Sequence, residues 1–278
     1  MLEIVNIKER KEDIIALWQE AFGDSRAYIE FFLDECPDIA CLGNICEGRL
    51  ASMLFLLNGF IGKYRCKYLY AACTAMHLRE KGLMSDLLEY AKKYCTKEGF
   101  DFIFLVPCEE ALYLYYSKFG FEPRMRRAIY TVSGGNEGQS FQRVDDVSRI
   151  AEMRMTLLGE TDSFCFDRKT TEYAVREFLN GGGEAYIEDG RFLFFAVRNG
   201  EKCVIKEIIA EKGYNLTLNL HLFKNLGEEN IYIQTPIVYN SEDNGCVCTK
   251  CGMLCSLTEE ARAFAEAHGT LYAGMYLD

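Results

Sequence analysis

The sequence predicts a mixed α/β (α+β) protein in which helices flank a central sheet, and it predicts this arrangement twice. Short apolar runs typical of strands alternate with longer runs in which apolar residues recur at helical spacing. Two helices, a hairpin and a third strand follow one another in residues 11–75, and the same order recurs in residues 147–210. A chain of 278 residues is long for one compact core and sufficient for two.

The first half contains the clearest helix of the chain, residues 83–97. Met84, Leu87, Leu88, Ala91 and Tyr94 form one apolar stripe along it, and charged residues occupy its other faces. The other elements predicted here are strand 2–7, a helix ending near Gly23, a helix from Asp24 or Ser25 that stops before Pro37, hairpin strands 39–46 and 50–57, a loop at Gly59 and Gly62, strand 64–75, strand 102–106, helix 111–118 and strand 125–132.

Residues 133–140 are the most linker-like stretch of the chain. They predict a domain boundary there, between a domain 1–135 and a domain 136–278. Residues 214–226 alternate with a period of two, which indicates a strand, but their place in the repeat indicates a helix, and a helix is our prediction. The other elements predicted are helices 147–158 and 168–179, hairpin strands 184–188 and 192–197 turning at Asp189-Gly190, strands 203–210 and 231–236, a helix opened by a capping box at Ser256 and Glu259 and closed by Gly269, and strand 271–277.

The composition is that of an ordinary globular protein, with 49% hydrophobic and 26% charged residues. No apolar run approaches the ~20 residues that span a bilayer, and the N-terminus lacks the basic start and apolar core of a signal peptide. We therefore expect a cytoplasmic protein whose 13 Cys are mostly reduced. The net charge of -11 makes nucleic acid a poor partner and mildly favours a cationic substrate.

One loop has the character of a phosphate site. It lies between the predicted strand 64–75 and helix 83–97, and it reads Arg79-Glu80-Lys81-Gly82-Leu83-Met84-Ser85. The first amide N–H groups of a helix have no partner inside the helix, and the helix dipole favours an anion there. We interpret this loop as the pyrophosphate site of a coenzyme. The second half has no such loop, so we expect no nucleotide at the corresponding place.

Two motifs of the first half resemble those of the GNAT superfamily of N-acetyltransferases. Residues 79–84 are similar to its coenzyme A signature of Gln or Arg, two residues, Gly, one residue, then Gly or Ala. Tyr116-Ser117-Lys118-Phe119-Gly120-Phe121 is similar to its Tyr-x-x-x-Gly-Phe motif. Residues 17–24 and 81–85 look like the two-domain bacterial type. The motif-level resemblance covers roughly residues 1–132.

The resemblance implies a GNAT-like mixed central sheet flanked by helices in a catalytic domain, 1–135, followed by a second, degenerate GNAT-like accessory domain, 136–278. It implies acetyl-CoA as co-substrate, no metal, and direct attack by a primary amine of a small molecule or peptide. Nucleic acid and membranes are not expected as partners, and a homodimer is left open. The coenzyme-binding residues that it implies are Thr74, Ala75, Met76, Arg79, Lys81, Gly82, Leu83, Met84 and Ser85.

The resemblance also implies two catalytic residues. Tyr116 would act as the general acid that protonates the departing thiolate, because a phenol pKa of about 10 is close to a thiol pKa of about 8.5. No general base stands out in the sequence. In a related two-domain subgroup the terminal carboxylate reaches the active site, which makes the carboxylate of Asp278 the candidate here.

Two alternatives stay open. Met84 stands where the signature has a small residue and Glu80 where many members have Gly, and both favour a catalytically silent acyl-CoA-binding or regulatory module. Cys246, Cys248, Cys251 and Cys255 are close enough in sequence to ligate zinc or an iron–sulfur cluster. Because this run enters an apparent strand, which turns alternate side chains apart, our prediction is that it binds no metal.

Overall fold

The computed structural model describes residues 1–135, 140–159, 162–188, 191–200, 202–211, 220–226, 230–235, 247–274 and 277. The chain forms two compact units. The first unit consists of Met1–Glu122 and Met253–His268, and the second unit of Pro123–Gly252 and Gly269–Asp278. The predicted boundary at residue 135 therefore lies inside the second unit. A catalytic role for one domain and an accessory role for the other stay predictions.

The helices and strands account for most of the described residues. Up to residue 135 they are β1 Leu2–Val5, α1 Lys11–Phe22, α2 Arg26–Glu35, β2 Ala40–Cys46, β3 Arg49–Ile61, β4 Tyr64–Thr74, the 3₁₀ turn Met76–Leu78, α3 Leu83–Lys97, β5 Phe102–Leu105, α4 Glu110–Ser117 and β6 Glu122–Ser133. Beyond it they are β7 Gln142–Val144, α5 Val147–Gly159, β8 Ser163–Phe166, α6 Arg168–Asn180, β9 Glu184–Glu188, β10 Phe192–Asn199, β11 Lys202–Ala210, the 3₁₀ segment Leu220–Leu226, β12 Asn230–Thr235, β13 Val247–Ser256, α7 Glu259–His268 and β14 Tyr272–Ala273.

The first unit is built on a mixed sheet in the order β1-β2-β3-β4-β5-β13. Neighbouring strands are antiparallel except β4 and β5, which are parallel. The last four residues of β13 complete this sheet, with Met253 opposite Leu105 and Ser256 opposite Phe102. A strand from near the end of the sequence thus covers the edge of β5.

The two faces of this sheet have separate apolar cores. On one face Leu87 and Leu88 of α3 pack in one cluster with Leu54 of β3, which explains the predicted apolar stripe. Phe55 points to the opposite face because successive strand residues alternate. There its ring lies 5.4 Å from that of Trp18, whose Nε1 donates a hydrogen bond of 2.8 Å to Asp24.

The hairpin of β3 and β4 is longer than predicted. Pairing continues from Asn58, opposite Lys67, to Ile61, opposite Tyr64. The predicted loop starting at Gly59 is therefore wrong, and the turn is Gly62-Lys63 alone. Gly62 has a φ of 56°, which a two-residue hairpin turn requires and glycine adopts without strain.

In the second unit the strands lie in the order β6-β12-β11-β10-β9-β7. Here β11 and β12 are the parallel pair, and β6 runs antiparallel to β12. The predicted helices 147–158 and 168–179 are present as α5 and α6. Of the predicted helix 214–226, residues 220–226 form a 3₁₀ segment and residues 212–219 lie outside the described part.

Two predictions near the chain end need correction. Ser256 does not cap α7, because it is the last residue of β13; Thr258 does, with its Oγ1 accepting from the Ala261 N–H at 3.2 Å. Of the predicted strand 271–277, Tyr272–Ala273 form a strand that pairs with β8, and residues 275–276 lie outside the described part of the chain. The sequence analysis did not predict β7 and β8, which have three and four residues. No helix in the described part of the chain is long and apolar enough to cross a membrane.

Candidate functional site

The parallel strands β4 and β5 separate before β4 ends. Their pairing stops at Leu69 opposite Leu105, whereas β4 continues to Thr74. Ala71 has a φ of 48°, and the register between β3 and β4 shifts there, so β4 carries a bulge. Bulges bend a strand and re-aim its peptide groups. The result is a cleft at the carboxyl end of a parallel strand pair, where ligands of α/β sheets commonly bind.

The bulge leaves one edge of β4 facing this cleft. The Ala75 N–H donates to the Ala51 carbonyl of β3 at 2.9 Å. Because peptide groups alternate between the two edges of a strand, those of Ala72 and Thr74 face away from β3. Sequence reasoning missed the bulge. Its only trace in the sequence is the small pair Ala71-Ala72 within a strand of bulky residues.

The predicted coenzyme residues at the end of β4 already have partners within the chain. Thr74 accepts a hydrogen bond of 3.2 Å from Arg79 Nε through its carbonyl. The Met76 N–H donates to Glu20 Oε1 at 2.9 Å. Glu20 was not predicted as a site residue, and its carboxylate lies where β4 passes into the loop. The peptide groups of Ala72 are thus better placed than those of Ala75 and Met76 to bind a ligand.

The predicted pyrophosphate loop leads directly into α3. Gly82 is the N-cap, with a φ of 82°, and no side chain caps the helix. The first intrahelical bond joins the Asp86 N–H to the Gly82 carbonyl at 3.0 Å, so the N–H groups of Leu83, Met84 and Ser85 have no carbonyl inside the helix. Together with the helix dipole they form an anion-binding geometry.

Glu80 and Met84 are the two positions that depart from the family signature. The structure shows the backbone conformation of the first and the packing of the second. Glu80 has a φ of 63°, a left-handed value that is uncommon for residues other than glycine and that often occurs at binding sites. The side chain of Met84 packs against the apolar cluster of α3 and the sheet. Ser85 Oγ lies 3.3 Å from Tyr115 Oη, which joins the start of α3 to α4.

Tyr116 lies near the end of α4 and is 8% exposed. It belongs to the same apolar cluster as Leu69 and Leu105, the residues at which β4 and β5 stop pairing. Phe121 packs against its ring with centroids 5.9 Å apart, and Gly120 makes the turn that allows this with a φ of 83°. The spacing of Tyr116, Gly120 and Phe121 in the second signature is therefore explained by the packing of the two rings. Burial, followed by the nearby Tyr115 and Cys108, raises the pKa of the Tyr116 phenol above its ordinary value.

The structure describes only some of the remaining candidate groups. Asp278, the candidate base, and Cys246 lie outside the described residues. On β13, Cys248 is exposed while Cys251 and Cys255 are buried. The described residues contain no cluster of three or more His, Cys, Asp or Glu that could hold a metal ion.

The sequence of this same region is similar to a known family. Residues 6–124 match a family model described as an acetyltransferase (GNAT) domain. The matched range is 119 of the chain's 278 residues. The resemblance inferred from the two motifs is thereby confirmed, and both motifs lie inside the matched range. No curated protein matches the chain in sequence.

Solved structures share the fold over nearly the whole chain. A probable N-acyltransferase from Enterococcus faecalis V583 is 13% identical with a TM-score of 0.71, covering 94% of this chain and 73% of that one. Eis1 from Mycobacterium abscessus is 12% identical with a TM-score of 0.72, covering 94% and 75%. A tandem GNAT protein from the clavulanic acid biosynthesis pathway is 11% identical with a TM-score of 0.55, covering 93% and 99%. These likenesses confirm the predicted mixed α/β fold.

Proposed function

We propose that this protein is an acetyl-CoA-dependent N-acetyltransferase that acts in the cytoplasm on a primary amine of a small molecule or peptide. The observation that carries the proposal is the combination in one unit of an uncapped α3 N-terminus with a cleft between β4 and β5. The first feature suits a pyrophosphate and the second an extended pantetheine arm that pairs with a strand edge. The net charge of -11 favours a cationic acceptor.

In the proposed acetyl transfer, each group of the chain has a separate role. Backbone N–H groups of Leu83, Met84 and Ser85 bind the pyrophosphate, and the open edge of β4 orients the arm. Acetyl-CoA supplies an activated acyl carbon with a thiolate leaving group. The acceptor nitrogen forms the new C–N bond as the C–S bond breaks, Tyr116 gives its proton to the thiolate sulfur, and a base takes the proton of the amine. For that base we propose the carboxylate of Asp278.

We expect thiol release by the wild-type protein only when acetyl-CoA and a suitable amine are both present. The measurement combines the melting temperature with acetyl-CoA and a thiol assay over polyamines, aminoglycosides, amino acids and peptide amines. Binding to the folded state alone should raise the melting temperature. Stabilisation without thiol release on any amine would favour the silent acyl-CoA-binding module, for which Glu80 and Met84 are the argument. No stabilisation by any CoA species would overturn both proposals.

Gly82→Asp is expected to weaken acetyl-CoA binding at least about tenfold, because it places a carboxylate within a few ångströms of the pyrophosphate. Gly82→Asn is the matched control, since it has the same shape without the charge and tolerates a left-handed φ better than most residues. Apart from the adjacent residues and the backbone of its own helix, no atom of the described residues lies within 4 Å of a Cβ built at Gly82, so both side chains have room. Calorimetric titration should show clearly weaker binding for the Asp variant, and equal affinities would place the pyrophosphate elsewhere.

A further inference from the structure

The second unit contains a cavity of ≈ 410 Å³ whose described lining residues belong to that unit. It lies where the parallel strands β11 and β12 separate, since their pairing stops at Ile205 opposite Ile233 while β11 continues to Ala210. Lys206 is the extra residue of a bulge at this point and lines the cavity. Helix α6 forms another wall. The cavity therefore occupies the kind of strand-end crevice in which ligands bind.

One carboxylate in the lining is already neutralised. Glu207 is fully buried and accepts hydrogen bonds from Arg154 Nε and Nη2 at 2.8 and 3.1 Å and from the Tyr272 hydroxyl at 3.1 Å. Arg154 Nη2 also donates to the Gly274 carbonyl at 2.9 Å. A Cβ at Gly274 would collide with Glu207 Oε1 and Tyr272 Oη. These contacts fix the Glu207 carboxylate as part of the wall, with its charge satisfied by Arg154.

The described lining has three other charged groups. Arg127 and Lys206 bring two cations, and Glu177 brings one carboxylate. Arg127 Nη1 donates to Gln234 Oε1 at 2.6 Å, which orients the guanidinium plane. An oriented guanidinium presents paired donors that match the two oxygens of a carboxylate. The polar part of the cavity is therefore suited to an organic anion.

The apolar part of the lining is closely packed. Phe178 of α6 meets Phe195 of β10 edge to face, with ring centroids 5.5 Å apart at 86°. Gly183 backs the Phe178 ring so closely that a Cβ there would overlap it. Val197 and Ala174 extend this surface. A ligand bound here would place an aromatic or branched apolar body against these side chains and its charge toward Arg127.

We propose that the second unit binds a small monocarboxylic acid with an aromatic or branched aliphatic body, held through its carboxylate by Arg127 and Lys206. At ~30 Å³ for each displaced water, the cavity could release on the order of a dozen waters to such a molecule. This binding site is separate from the coenzyme cleft of β4 and β5, and its existence does not depend on the acetyltransferase proposal.

The test uses calorimetric titration of the full-length protein with two probes that share one body, 3-phenylpropionate and phenethylamine. The carboxylate is expected to bind saturably and the ammonium not to bind. Arg127→Gln should weaken the binding of 3-phenylpropionate about 10- to 100-fold, because it removes a charged hydrogen bond. Arg127→Lys keeps the cation and should recover part of that loss.

Arg126→Gln is the matched control, because Arg126 is adjacent on β6 and its side chain points to the other face of the strand. It is expected to bind 3-phenylpropionate as the wild type does. The melting temperature with acetyl-CoA, measured for every variant, checks that the first unit is intact. The proposal is overturned if 3-phenylpropionate does not bind the wild type at millimolar concentration, if phenethylamine binds equally well, or if Arg127→Gln and Arg126→Gln bind alike.

Discussion

A fragment of residues 1–135 is expected to lack a stable, cooperatively folded structure. It contains β1 to β5 but not Met253–Ser256, which pair with β5, nor helix α7. Without them β5 becomes an exposed sheet edge of four apolar residues, which is a site of aggregation. The fragment also loses the hydrogen bond from the Leu257 N–H to the Asp101 carbonyl, at 2.8 Å. Circular dichroism and thermal melting compare the fragment with the full chain.

A point variant of the full chain tests the same interaction without truncation. Phe264 of α7 packs against Tyr64, with ring centroids 4.8 Å apart, and Phe264→Ala should lower the free energy of unfolding by about 2–4 kcal/mol. Glu266→Ala, on the exposed side of α7, is the control and should change it by less than about 0.5 kcal/mol. A sharp melting transition for the fragment, raised by acetyl-CoA, would show instead that residues 1–135 are a domain on their own.

The sequence predicts the fold where the signal is local. The apolar stripe of α3, the hairpin of β9 and β10 and the closure of α4 by Gly120 all depend on residues a few positions apart, and each is present. The partner of a strand is set by contacts between distant residues. Residues 102–105 carry no sequence signal that their second neighbouring strand is Met253–Ser256. The sequence therefore predicts a boundary at the local linker-like signal, residues 133–140.

In the candidate site, too, the sequence predicts the residues with a local signal and misses those that depend on distant contacts. Residues 79–85 and Tyr116 were found because their spacing is local and follows from helix capping and ring packing. The bulge at Ala71 was not found, because it arises from the register between β3 and β4 and because alanine gives little indication of a left-handed φ. Glu20 was missed for a related reason. Its bond to the Met76 N–H joins residues that are 56 positions apart.

Tyr116→Phe is expected to lower kcat by about 10²- to 10⁴-fold, because it removes the proton donor to the leaving thiolate and keeps the ring. The KM for acetyl-CoA should change little, since the pyrophosphate and pantetheine contacts lie on α3 and β4. Phe121 would pack against the new ring as before, so the melting temperature should be nearly unchanged. Tyr115→Phe is the matched control. It removes a hydroxyl 3.3 Å from Ser85 Oγ and should cost less than about tenfold in kcat.

The pH dependence of the rate, together with rescue by external acids, distinguishes a Tyr116 that donates a proton from a Tyr116 that only packs. Burial raises the pKa of Tyr116, so the phenol stays protonated through and beyond its ordinary value of about 10. The wild-type rate should therefore show no fall from loss of this proton below about pH 10. If Tyr116 is the donor, the lower rate of Tyr116→Phe should be partly restored by small external acids, which can protonate the thiolate instead. A Tyr116→Phe variant with wild-type kcat would remove the phenol from the mechanism and leave the proton to solvent or to the acceptor amine.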